Sequence, residues 1–194
     1  MSNARQIVLG ITGASGAIYA ESYIRGCARM RDISLSVIFT ETARTVWLRE
    51  LGYYPEEIIS ECGASLLPNN NFDAPFCSGS AAADALLVLP CSMGALARIA
   101  GGLASDAISR IADVQLKERK QLIIVPRETP LNLIHLQNMK LLTQAGAVIC
   151  PASPSFYNNP ATINDLADSF VARLLQMTGV RPLEKKYQWN NIQD

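Results

Sequence analysis

Residues 6–16 read Gln-Ile-Val-Leu-Gly-Ile-Thr-Gly-Ala-Ser-Gly, an apolar run that stops in glycines and hydroxyls. A short apolar run closed by Gly10, Gly13 and Gly16 predicts a buried strand over Gln6–Ile11 and a tight turn behind it. Ala17–Met30 then predicts a helix. The turn is neither the dinucleotide fingerprint nor a Walker A loop. Its glycines let a ligand approach the backbone, and the next helix offers free N–H groups to an anion. The plainer reading is a strand-to-helix turn with no ligand.

The same pattern recurs down the chain. Ser34–Phe39 predicts a second strand, followed by a helix near Ala43–Leu51. Ala85–Leu89, Leu122–Val125 and Ala147–Cys150 predict three more, each stopped by a proline: Pro90, Pro126 and Pro151. Residues 55–77 read as mixed and turn-rich, with Pro68 and the run Asn69 to Asn71. Apolar strands alternating with helices predict an α/β fold whose parallel sheet is covered on both faces. In such sheets ligands bind at the carboxyl ends of the strands. Two further helices stand out. Leu131–Ala145 has apolar residues at 131, 134, 139, 142 and 145, ending at Gly146. The last opens at Thr162 with Asp165 three residues on, and its stripe runs through Ile163, Leu166, Ala167, Phe170, Val171, Leu174 and Leu175.

Composition narrows the function classes. Lys plus Arg equals Asp plus Glu at 17 each, so the chain lacks the basic excess of a nucleic-acid binder. The five cysteines show no C-x-x-C spacing and His135 is the only histidine, so no zinc set is predicted. Free thiols point to a reducing compartment, the cytoplasm. No apolar window approaches the 18 residues of a membrane span. Apolar residues still make up 49% of the chain, which predicts surface buried against sister subunits.

Four more segments can carry chemistry. Pro90-Cys-Ser-Met-Gly-Ala-Leu96 puts a hydroxyl and a glycine at a strand end, where Ser92 is either a ligand contact or a helix cap. Val125-Pro-Arg-Glu-Thr-Pro130 presents Arg127 and Glu128, a bidentate anion donor or a surface ion pair. Ser153–Pro160 exposes Phe156 and Tyr157 between prolines, the pattern of a binding loop. Arg110, Asp113, Lys117 and Glu118 read as a charged helix face. Arg173 borders the last apolar stripe and can point inward. Cys91 has no nearby histidine to activate it, so it reads as a buried structural thiol.

Taken in order, GITGASGAIYA (10–20), PCSMGALARIA (90–100), ADVQLKER (112–119), VPRETPLNLIHLQNM (125–139), GAVICPASPSFYNNP (146–160) and VARLL (171–175) resemble the flavin prenyltransferases, once described as aromatic acid decarboxylases. The resemblance implies a Rossmann-like or flavodoxin-like three-layer sandwich with a mostly parallel sheet. It implies a single FMN-binding domain over residues 1–180 and a C-terminal tail over 181–194. It implies an assembly of twelve chains with active sites at subunit junctions, and no metal. The implied reaction joins dimethylallyl phosphate to reduced FMN, and a UbiD-type decarboxylase receives the prenylated product as cofactor.

The resemblance also assigns residues. Gly13, Ala14, Ser15, Thr40, Ser92, Met93, Gly94, Ala95 and Arg127 match flavin-binding positions. Thr40 stands where the family usually has Ser, and Ala95 where it more often has Thr. Arg110, Lys117, Tyr157 and Arg173 match the groups around the allylic phosphate. Ser15, Glu50 and Glu128 match the reacting centre, and Trp189 resembles a tail tryptophan. Two rival readings remain: an FMN-dependent cysteine decarboxylase, whose family carries a P-A-S-A-N-type loop and an early histidine, and a flavin-binding partner subunit without catalysis.

Overall fold

The computed structural model describes residues 4–180; Trp189 and the 181–194 tail lie outside them. Six strands form one sheet: β1 (Arg5–Ile11), β2 (Ile33–Phe39), β3 (Ser65–Leu67), β4 (Ala85–Cys91), β5 (Gln121–Pro126) and β6 (Val148–Ile149). Their order is β3-β2-β1-β4-β5-β6 and every pairing is parallel, more uniform than the mostly parallel sheet expected. Seven helices connect them: α1 (Ala17–Ala28), α2 (Glu41–Leu51), α3 (Pro55–Glu61), α4 (Met93–Ala100), α5 (Ala107–Lys117), α6 (Leu133–Ala145) and α7 (Ile163–Met177).

The period of two in the central strands explains the layers. Ile7, Leu9, Leu87, Leu89, Ile123 and Val125 face one core, shared with Tyr23 of α1, Trp47 of α2, Ile58 of α3 and Phe170 of α7. Val8, Leu86, Val88, Leu122 and Ile124 face the other, with Leu96 of α4, Ile108 and Ile111 of α5, and Leu142 of α6. Both faces of β4 are covered, which is why all seven of its residues are buried.

Three expectations need correction. Residues 55–77 hold the helix α3 and the edge strand β3, which turn residues and a three-residue length had hidden from periodicity. The fifth expected strand is only two residues long, Val148–Ile149. The stripe over Leu131–Ala145 does not close onto this chain's core. The helix begins after Asn132, which caps it through His135 N at 2.9 Å, and only Leu142 is buried. Leu133 is 68% exposed and Ile134 65% exposed, with Leu131, Leu136 and Leu141 also open. Periodicity reports that a face needs covering without saying which chain covers it.

Candidate active site

The strand order reverses between β1 and β4, and the crevice beyond their carboxyl ends is where an open α/β sheet binds ligands. Thr12 closes that point. It is buried, its hydroxyl donates to Pro90 O at 2.9 Å, and the same oxygen accepts from the Ser92 N–H at 2.7 Å. Its own N–H donates to Pro90 O at 3.2 Å. The turn after β1 is thereby fastened to the turn after β4. Sequence reasoning passed over Thr12; a lone hydroxyl straight after a buried strand was the available signal.

The loop that follows is held from three sides. A Cβ on Gly13 would stand 2.6 Å from Thr42 Cγ2, so only glycine lets the loop lie on the start of α2. Gly16 has φ +119 and caps α1 without a side chain. Glu50, on the last turn of α2, supplies what Gly16 lacks. Its Oε2 accepts from Gly16 N at 2.9 Å and Ala17 N at 2.8 Å, so a carboxylate occupies the anion position at the α1 N-terminus. On the other side Arg127 Nε donates to Ser15 O at 2.8 Å. Ser15 thus sits exposed between a carboxylate and a guanidinium. Tyr19 lies beside them, its phenol pushed up by burial and drawn partly back by Arg127. Glu128 stays exposed, its Oε1 accepting from Thr129 N at 3.0 Å rather than pairing with Arg127.

Two hydroxyls frame the rest of the edge. Thr40 caps α2 by accepting from Ala43 N at 3.1 Å, and Ser92 caps α4 by accepting from Ala95 N at 3.3 Å. A cap uses an oxygen lone pair and leaves the O–H proton free to donate. Met93 and Ala95 are buried, but a Cβ built on Gly94 would meet nothing closer than Arg98 Nη1 at 3.9 Å. That open space over the backbone, two hydroxyl donors and Arg127 suit a flat ligand with polar edges and an anionic tail, as FMN is. All nine flavin-binding candidates therefore fall at one edge of the sheet.

The four phosphate candidates do not converge within one chain. Arg110 lies near the start of α5, with Nε on Cys77 O at 3.1 Å and Nη1 on Asp113 Oδ2 at 2.7 Å. Lys117 is the last residue of α5 and pairs with Glu118. The chain then enters β5 at Gln121, so Lys117 stands at the amino edge, about 15 Å along the helix from its N-terminal end. Arg173, which can either point inward or stay a solvated helix charge, is exposed on α7 and donates to Gln176 Oε1 at 2.8 Å. Helix α7 packs on α1, across the sheet from α5. Tyr157 is exposed on the loop after β6.

The remaining candidates are structural. Cys91 is fully buried, and desolvation pushes its thiol up to about 12, so it carries no thiolate near neutrality. His135 Nδ1 accepts from Asn132 N at 3.4 Å within the α6 cap. Among the described residues, no three His, Cys, Asp or Glu side chains cluster as metal ligands, and no helix is long and apolar enough to cross a membrane.

Comparison with known proteins places this geometry. The family model described as Flavoprotein matches residues 1–175. A flavin prenyltransferase UbiX from Methanothermobacter thermautotrophicus is 40% identical over 179 residues, covering 91% of each chain. A solved UbiX (PadA1) in complex with FMN and dimethylallyl pyrophosphate superposes with a TM-score of 0.86 at 38% identity, over 94% of this chain and 98% of that one. A dodecameric FMN-dependent UbiX-like decarboxylase from Escherichia coli O157:H7 gives a TM-score of 0.87 at 34% identity, over 91% and 95%. The FMN-dependent cysteine decarboxylase TvaF shares the fold alone, with a TM-score of 0.62 at 16% identity over 75% and 89%.

Proposed function

This chain belongs to the flavoprotein family and, within it, to the flavin prenyltransferases; on that premise we propose that it joins the dimethylallyl group of dimethylallyl phosphate to reduced FMN, releasing phosphate. The observation that carries the reading is the clasp around Ser15, where Glu50 holds the Gly16 N–H and Arg127 holds the Ser15 carbonyl. Reduced flavin, once bound, supplies the nucleophilic ring atoms and a flat electron-rich face for the allylic group. Gly13, Ala14, Thr40 and the 92–95 loop hold it at the carboxyl edge, and Arg127 orients the Ser15 loop against it.

Breaking the allylic C–O bond leaves growing negative charge on the phosphate. Arg110, Lys117 and Arg173, with the Tyr157 phenol, stabilise that charge as it develops. Because one chain spreads these groups over both faces and both edges of its sheet, they act as a set only where subunits meet. The exposed face of α6 supplies apolar surface for such contacts, and a dodecamer is the assembly proposed. Ser15, Glu50 and Glu128 are the groups placed to take up the proton released on ring closure. We assign the product to a UbiD-type decarboxylase and the enzyme to the cytoplasm, in keeping with five free cysteines.

The test is anaerobic incubation of the purified protein with reduced FMN and dimethylallyl phosphate, with the flavin read by mass spectrometry. A flavin heavier by one prenyl unit is expected. Unchanged flavin on a protein that retains FMN would overturn the transfer reading in favour of a carrier. The cysteine decarboxylase reading has no support beyond the fold: the loop here is Pro90-Cys-Ser-Met-Gly94, and the only histidine is spent on the α6 cap.

A further inference from the structure

The crossover from β3 to β4, residues 68–84, descends from the carboxyl to the amino edge of the sheet. It does so along α5, which descends the same way, and it is tied to that helix repeatedly. Asn69 sits on the helix N-terminus, its O accepting from Ala107 N at 2.7 Å and its Oδ1 from Ile108 N at 3.2 Å. Cys77 O accepts from Arg110 Nε at 3.1 Å. Ala83 O accepts from Nε2 of the buried Gln115 at 3.2 Å. Between Cys77 and Ala83, the short turn Gly79–Ala81 lies against Lys117 and Glu118.

The approach at Gly79 is very close. A Cβ built there would press into the Glu118 carboxylate and stand 2.5 Å from Lys117 Nζ. Backbone conformation does not demand glycine, since Gly79 is not among the residues of positive φ. The missing side chain therefore serves space alone. That space holds the Lys117–Glu118 ion pair, whose side chains are 47% and 38% exposed. Pairs so exposed contribute little to stability, so the fold gives no reason for the fit. A lysine ammonium on its four-carbon stem has many rotamers, and ordering it costs entropy at the moment of binding unless neighbours already confine it. The Gly79 backbone on one side and Glu118 on the other confine Lys117 at the end of α5.

We infer that Gly79 is a positioning residue for prenyl transfer, fixing where the Lys117 ammonium stands when it meets the allylic phosphate. This rests on the assignment of Lys117 to that phosphate and adds a residue outside all the matched segments. The weak Glu118 pair is exchanged for the phosphate at little cost. The same crossover orders Arg110, whose Nε is spent on Cys77 O and Nη1 on Asp113 Oδ2.

The test is the affinity of the oxidised FMN holoenzyme for dimethylallyl phosphate, measured by calorimetry so that no turnover intervenes. Wild type, Gly79→Ala, Lys117→Ala and the double variant are compared. The atoms in the way are the ends of exposed, flexible side chains, so Gly79→Ala should assemble with the Tm and FMN affinity of the wild type. It should weaken dimethylallyl phosphate about threefold to tenfold as the ammonium is pushed aside, and Lys117→Ala about tenfold to a hundredfold. The double variant should bind no more weakly than Lys117→Ala, because Gly79 acts only through the ammonium. Additive losses, or a Gly79→Ala protein that binds dimethylallyl phosphate as wild type does, would overturn the inference. So would a Gly79→Ala chain that fails to assemble or loses FMN as well, since the glycine would then be structural. If Lys117→Ala keeps full affinity while wild type prenylates FMN, the Gly79 role falls and the prenyltransferase reading stands. Wild-type protein that binds no dimethylallyl phosphate and leaves FMN unchanged would sink both.

Discussion

Replacing Thr12 by Val tests whether the fastening between β1 and β4 organises the site. Val matches Thr in shape, so packing at this buried position is kept and the hydroxyl alone is removed. The two partners are affected unequally. Pro90 O keeps the Thr12 N–H at 3.2 Å, but Ser92 N loses the acceptor it holds at 2.7 Å. Leaving this part-buried N–H unpaired costs at most about 1–3 kcal/mol. For a chain of this size that corresponds to a fall of about 2–12 °C in Tm. Thr12→Ser keeps both hydrogen bonds and loses one methyl, a cost of about 1 kcal/mol. The assay is thermal unfolding at one fixed protein concentration, because an oligomer's Tm depends on it, with FMN titration beside it. Thr12→Val should weaken FMN binding as the start of α4 shifts, while Thr12→Ser should bind as wild type does. A Thr12→Val protein with wild-type Tm and FMN affinity would refute the argument that this hydroxyl holds the switch point together.

Three further outcomes are expected. Glu50→Ala strips the cap from α1 and should lower stability by about 0.5–2 kcal/mol in thermal melts, whereas Glu50→Gln, which keeps an acceptor oxygen, should lose less. If Glu50→Gln then binds FMN but turns over poorly, the carboxylate also handles a proton; full turnover would leave it a positioning group only. Lys117→Ala and Arg173→Ala should each be inactive with FMN still bound, yet regain part of the activity when dissociated and reassembled together, because mixed assemblies contain junctions carrying both native groups. No recovery would place the two residues in separate functions. Finally, Cys91 is pushed up to about 12 by desolvation, above its value in the unfolded chain. It therefore contributes stability that is full below about pH 9 and is lost as pH rises toward 12. Urea titrations should show that decline, and Cys91→Ser should flatten it; an equal decline in the variant would assign the loss to other groups.

The sheet was legible because its central strands are continuous apolar runs stopped by Gly or Pro, a pattern that parallel burial on both faces imposes. Strand β3 was not, since three residues at an edge carry too little periodicity, and Pro68 with three asparagines dominates the segment. At the site, the loop residues Gly13, Ser15, Ser92 and Arg127 were legible because each follows a strand directly and so had to fall at the carboxyl edge. Thr12 was passed over. Thr12 acts through partners that are distant in sequence, Pro90 and Ser92.

What the sequence could not carry at all is the separation of Lys117 from Arg173. Both lie in segments that match one family's phosphate set, so motif reasoning places them together. The βαβ geometry sends α5 away from the site, and a helix of 11 residues puts its two ends about 15 Å apart. The same geometry leaves Arg110, one turn in from the start of α5, near the carboxyl edge that Lys117 has left. If all four groups serve one phosphate, at least one comes from another chain. The oligomer is then part of the active site, and the exposed leucines of α6 become a catalytic requirement as well as a matter of stability. Diluting the assembly to free chains should abolish prenyl transfer while the fold of each subunit persists. Undiminished turnover by isolated subunits would return the phosphate to groups within a single chain.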